Sequence, residues 1–206
     1  MRLVLIGASG HGRVCAEIAE EMRRYQDLLF LDDDRSLKSC GRYPVMGVSE
    51  DVTRFLSDDT EFFISIGNNG IRERIQERVM ESGGRMATLV HPCSTISSTA
   101  SLGAGVAVMA GNVINAGARV GDGVIVNTCS SIDHDCEIGE FCHVAVGAHI
   151  CGTVSVGIRS WIGAGAVISN NLSVCADCMI GAGAVVVSDI EMAGTYVGVP
   201  ARRAGD

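Results

Sequence analysis

The chain has 206 residues, enough for one large domain or two small ones. Hydrophobic residues make up 47% and charged residues 19%, which supplies a core and argues against disorder. The net charge of −8, from 16 basic and 24 acidic residues, lacks the basic footprint of a nucleic-acid-binding protein, so no nucleic acid partner is expected.

Aromatic residues are only 4% while Gly numbers 26, a balance that suits many tight corners and small interior side chains. No stretch reaches the roughly 18–20 apolar residues of a membrane span. The apolar start Met1–Ile6 is too short for a secretion signal and runs straight into a glycine turn. A cytoplasmic protein without membrane insertion is therefore expected. Its nine scattered Cys are expected to be reduced. Cys175-Ala176-Asp177-Cys178 is the only CxxC, too little for a zinc site, and no metal is expected.

In chain order, residues 2–6 read as a strand that ends in Gly7-Ala8-Ser9-Gly10-His11-Gly12. A helix is predicted from Arg13 to about Arg24, with Val14, Cys15, Ile18, Ala19 and Met22 on one face. Leu28 to Leu31 forms a second strand before Asp32-Asp33-Asp34, and Glu61 to Ile66 a third before Gly67-Asn68-Asn69-Gly70. A helix carrying Ile71, Ile75 and Val79 follows and closes at Gly83-Gly84. Strand, glycine turn, helix, strand and acidic end describe a small α/β Rossmann-like domain over residues 1–88.

The glycine turn is G-x-x-G-x-G rather than G-x-G-x-x-G, so a nicotinamide dinucleotide is not expected. Ligands of such sheets sit beyond the carboxyl ends of the strands. Ser9, Gly10, His11, Asp32, Asp33, Gly67 and Asn68 are expected to meet there. Backbone N–H groups at a helix start would hold a phosphate, and the carboxylates would accept from a ribose or a uracil N–H. The plainer alternative makes Asp32–Asp34 a solvated turn.

From Val90 every sixth residue is aliphatic without a break: Ile96, Leu102, Val108, Ile114 and so on to Ile180 and Val186. The fourth residue after each anchor is mostly small, as at Ala118, Ser130, Cys136, Cys142 and Cys178. Gly follows the anchor at 103, 121, 139 and 157, a spacing of eighteen. Three hexapeptides thus make one coil of a three-sided prism, with anchors inside, small residues where it narrows, and these glycines supplying the corner angles. Residues 89–206 are read as an all-β parallel helix of hexapeptide repeats with a C-terminal tail.

One stretch departs from the bland pattern: Ser131-Ile132-Asp133-His134-Asp135-Cys136. His134 lies two residues past its anchor and should face outward between two acids. An imidazole held by a carboxylate is a base near neutral pH, able to take the proton of an attacking nucleophile. A solvated bystander is the alternative for any lone surface His. His143 follows half a coil later, on another face, so the two can meet only across a subunit boundary; that favours a trimer.

Leu5-Ile6-Gly7-Ala8-Ser9-Gly10-His11-Gly12, Leu31-Asp32-Asp33, Ile66-Gly67-Asn68-Asn69, Asp133-His134-Asp135 and Val197-Gly198-Val199-Pro200-Ala201 together resemble the sialic-acid O-acetyltransferase-like (NeuD-type) family of left-handed β-helix acyltransferases. Within it the chain is most similar to the UDP-4-amino-sugar N-acetyltransferases of bacillosamine synthesis. The left hand of the helix comes from this resemblance. So do acetyl-CoA as co-substrate, a homotrimer, and direct acetylation of the 4-amino group of a UDP-linked amino-dideoxy sugar.

By the same resemblance His134 is the general base and Asp135, where the bacillosamine enzyme has Glu, raises its basicity. His143, Gly152, Ala164 and Ala182 match acetyl-CoA-contacting positions, Gly152 near the thioester. The N-terminal residues named above match the nucleotide-sugar cradle. The alternatives are O-acetylation of sialic acid or another sugar, a γ carbonic-anhydrase-like metal hydratase using His134, His143 and His149, and a binding protein with a dead site.

Overall fold

The computed structural model describes residues 1–205, which divide into two compact units, the first Met1–Pro92 and the second from Cys93 onward. In the first, β1 (Arg2–Ile6) is followed by α1 (Gly10–Glu21), β2 (Asp27–Leu31), a short hairpin of β3 (Ser39–Cys40) and β4 (Tyr43–Pro44), β5 (Thr60–Ile64) and α2 (Asn69–Glu81). The sheet order is β2-β1-β5, all parallel, with Ile6 opposite both Leu31 and Ile64. Leu3 to Ile6, Phe30, Leu31 and Phe62 to Ile64 are buried, as expected of strands covered on both faces.

Several elements of this unit differ from the sequence reading. The helix begins at Gly10, not Arg13, so the second half of the glycine turn is helical. Gly12 makes this possible, because any Cβ there would collide with the Gly7 carbonyl oxygen. The β3–β4 hairpin and a 3-10 helix at Ser49–Phe55 were not anticipated.

The second unit is a parallel β-solenoid of about six turns. Each hexapeptide contributes a two-residue strand ending on its anchor, and strands eighteen residues apart pair in register: Ile114 with Ile132, Ile132 with Ile150, Ile150 with Ile168. Every anchor from Val108 to Val186 is buried, whereas Ile96 and Leu102 of the first coil are only half-buried.

The small-residue slot is more polar than expected. Cys136 and Cys142 donate their thiols to the Cys151 and Gly157 carbonyls at 3.0 and 3.1 Å, as Ser160 donates its hydroxyl to Cys175 O at 3.1 Å. These cysteines are weak donors serving corner carbonyls as well as fillers. Asn112, in the same slot, accepts from the N–H and hydroxyl of Ser130 one coil on.

The corner glycines need a correction too. The residue with positive φ lies three past the anchor, as at Gly117, Asp135 and Gly147, and the glycines directly after the anchor do not have it. Those glycines answer to crowding instead: a Cβ on Gly139 would come within 2.7 Å of the Ile158 nitrogen in the neighbouring coil.

Candidate active site

His134 is displayed on the corner that follows the anchor Ile132, with its side chain 56% exposed. Its Nδ1 lies 2.9 Å from Asp135 Oδ2. Asp135 adopts φ +57° and stands over Gly117, where a Cβ would lie 2.5 Å from Asp135 Oδ1. On the other side His134 packs on Gly152: a Cβ there would fall 2.5 Å from Nε2 and 2.7 Å from Cε1. Glycines in the coils before and after therefore clear the space for this acid–imidazole pair. Hydrogen bonding to Asp135, then the charge of Asp133, holds the imidazole above the ordinary histidine range.

His143 occupies a different sheet, paired with Ile125 and Trp161. It is buried, with Nε2 3.1 Å from Asn127 Nδ2 and its ring 4.0 Å from that of Trp161, tilted by 45°. Ala164 and Ala182 are exposed and stack at the corner following this same face, where Gly183 N donates to Ala164 O at 2.8 Å. The chain thus joins His134, Asp135 and Gly152 on one edge of the prism and sets Ala164 and Ala182 on another. His149, on the strand stacked on Ser131–Ile132 one coil on, has Nδ1 2.8 Å from Ser131 Oγ. Among the described residues no group of three or more His, Cys, Asp or Glu is placed to hold a metal.

In the first unit the segments leaving β1, β2 and β5 are tied together at the carboxyl edge of the sheet. Ala8 N donates to Asp32 Oδ2 at 2.6 Å, and the Ser65 hydroxyl donates to Gly7 O at 2.8 Å. Asp32 Oδ1 also accepts from Asp34 N at 2.9 Å. Asp33 accepts from Ser49 N and Oγ at 2.8 and 3.1 Å, which ties down the start of the 3-10 helix. Both carboxylates thus already serve the main chain. Beside Asp32 and Asp34 opens a cleft of about 550 Å³, with Arg35 and Lys38 as its cations and Val45 and Met46 as apolar wall.

Ser9 is the N-cap of α1 and Asn68 that of α2, where its side chain accepts from Ile71 N at 3.0 Å. Both helices therefore start at this edge. His11, in the first turn of α1, is pushed down to about 4 by burial and then by the Arg72 charge, so at neutral pH it is an uncharged imidazole. Arg72 was not singled out in the sequence. It is fully buried and donates to the carbonyls of Ile66 and Gly67 at 3.0 Å and to Asn69 Oδ1 at 2.9 Å, fixing the loop that carries Gly67. An Arg on an otherwise amphipathic helix gave no signal of this role.

Comparison with known proteins places this geometry. Residues 2–79 match the PglD N-terminal domain. The chain superposes on the acetyltransferase domain of PglB from Neisseria gonorrhoeae FA1090 with a TM-score of 0.95 and 40% identity, covering 98% of each chain. It superposes on PerB from Caulobacter crescentus, a complex with CoA and GDP-perosamine, with a TM-score of 0.93 and 33% identity over 100% of this chain and 98% of that one.

The chain belongs to the left-handed β-helix N-acetyltransferases of nucleotide-linked amino sugars. A curated relative of this family, UDP-N-acetylbacillosamine N-acetyltransferase of Bacillus subtilis (strain 168), is 33% identical over 110 residues; that match spans 52% of this chain and about half, 51%, of the relative. The PglB domain has also been solved with acetyl coenzyme A.

Proposed function

We propose that this chain transfers the acetyl group of acetyl-CoA directly to the 4-amino group of a UDP-linked amino-dideoxy sugar, with His134 as general base. The observation that carries the reading is the exposed imidazole whose Nδ1 is held by Asp135 at 2.9 Å while Nε2 lies against a glycine. A carboxylate on Nδ1 fixes the tautomer that leaves Nε2 able to accept a proton. The amine nitrogen forms its bond to the thioester carbonyl carbon, its proton passes to Nε2, and the carbon–sulfur bond breaks to release CoA as thiolate. The thioester is reactive enough that the enzyme needs no covalent intermediate.

The helix start of α1 at Ser9, Gly10 and His11, with Asp32, Asp33, Gly67 and Asn68 on the same edge, supports nucleotide binding in the first unit. Its phosphates would meet backbone N–H groups and the helix N-terminus rather than a charged histidine. His143, Gly152, Ala164 and Ala182 are assigned to acetyl-CoA. Because Gly152 and the two alanines lie on different prism edges, we assign the working state as a homotrimer in which neighbouring edges form one site. A cytoplasmic setting keeps the nine cysteines as thiols.

The test is CoA-thiol release with UDP-, GDP- and dTDP-linked 4-amino sugars and with sialic acid. The UDP amino sugar should be preferred, and His134→Ala should remove most turnover while the oligomer persists. Undiminished turnover in that variant overturns the base assignment. For the wild-type enzyme, kcat/KM should fall as the pH drops through the titration of His134, with its midpoint above the usual histidine value of about 6.5, because only the neutral imidazole accepts the proton.

A further inference from the structure

We propose that Asn115 and Asp133 form a positioning pair for His134, gripping its main chain from the preceding coil. The proposal rests on the reading of His134 as base. Asn115 lies eighteen residues before Asp133, so the two stack on adjacent coils. Asn115 Nδ2 donates to Asp133 Oδ1 at 2.8 Å, and the same oxygen accepts the main-chain N–H of His134 at 2.8 Å. Asp135 N donates to Ala116 O at 2.9 Å, and Thr153 N donates to His134 O at 2.9 Å. The corner is thereby held at consecutive residues, and the Asp133 side chain bonds both to its own turn and to the coil before.

The two acids divide the work. Asp135 meets the ring, and Asp133 meets the backbone that carries the ring. Both hydrogen bonds, first that from His134 N and then that from Asn115, hold the Asp133 carboxyl below its ordinary range, so it remains an anion throughout the working pH. Its charge is the second cause, after the Asp135 hydrogen bond, that raises the His134 imidazole. The charged groups that raise the imidazole are Asp135 and Asp133; the coil before presents Ala116 and Gly117 and the coil after Gly152 and Thr153, none of which titrates at working pH.

The experiment measures kcat and KM against pH, and the NMR titration of the His134 ring, in the full-length enzyme and in Asp133→Asn, Asp133→Ala and Asn115→Ala. Asp133→Asn keeps an oxygen for the His134 N–H and removes the charge. Its imidazole should titrate at lower pH, and the acid limb of kcat/KM should move down with it. Asp133→Ala also removes the grip and should lower kcat about 10- to 100-fold, the scale on which a small displacement of a reacting group is felt, with KM for both substrates changed less than about twofold. Asn115→Ala should lower kcat in the same sense by less.

An unmoved ring titration in Asp133→Asn, or an unchanged kcat in Asp133→Ala, overturns the proposal. The ring titration is read without turnover. If His134→Ala retains activity while Asp133→Asn still shifts the ring, the base assignment has failed and the pairing has survived.

Discussion

At the scale of single residues, the site is built by removing side chains as much as by placing them. His134 and Asp135 sit between glycines of the adjoining coils, and a methyl group at either glycine would meet them at 2.5 Å. Gly152→Ala should therefore turn the imidazole off Asp135 and lower kcat on the order of 100-fold, with the melting temperature little changed because the methyl points at an exposed ring. Steady-state kinetics beside a thermal melt would show it; full kcat with intact folding would mean that the ring tolerates displacement. The sequence displayed His134 and its two acids openly, because an outward polar cluster breaks a repeat of aliphatic and small residues. It did not display Gly152 as the floor of the ring or Asn115 as the partner of Asp133. Those relations lie eighteen residues apart and become contacts only once coils are stacked. Arg72 escaped for a related reason: burial of a charge depends on carbonyls of another segment, and nothing in its helix announces them.

At the scale of elements, the hexapeptide anchors carry the solenoid. A two-residue strand has too little hydrogen bonding to stand alone, so its stability comes from the column of aliphatic side chains inside the prism. Ile150, 1% exposed between Ile132 and Ile168, should cost about 2–5 kcal/mol when cut to Ala. The same change at Ile96, half-buried in the first coil, should cost clearly less. Urea denaturation of the two variants under one set of conditions decides the order, and equal losses would mean that the end coil is as well packed as the middle. The six-residue period made the strands, anchors and columns legible before any coordinates. It could not give the hand of the coil, because either hand repeats every six residues. Nor could it show which corner residue takes positive φ, since Asp135, Phe141, Thr153 and Arg159 do so as readily as the glycines at 117 and 147. In the first unit the strands were clear from their apolar runs. The start of α1 was misread because glycines usually mark loops; here Gly12 serves a close helix–strand approach.

At the scale of the whole molecule, the two ends of the solenoid are finished differently, and this sets where it should open. The last coil is closed by its own tail: Val185 N donates to Gly198 O at 3.0 Å, Ala201 N donates to Val185 O at 2.8 Å, and Ile190 bridges to Val174. Val186 is accordingly only 2% exposed. The first coil of the second unit has half-buried anchors at Ile96 and Leu102. Because a stacked array loses stability from its least covered coil, local opening should start there and travel toward the corner that carries His134. Amide exchange read by mass spectrometry should therefore be faster across residues 95–102 than across 180–186, with the slowest exchange in the coils around Ile132 and Ile150. Faster exchange at the tail end would mean that the tail's hydrogen bonds do not close the last coil. The order matters for function, since His134 then lies in the part of the solenoid that opens last. A proposed base whose position depends on contacts from the coils before and after is best kept away from both ends.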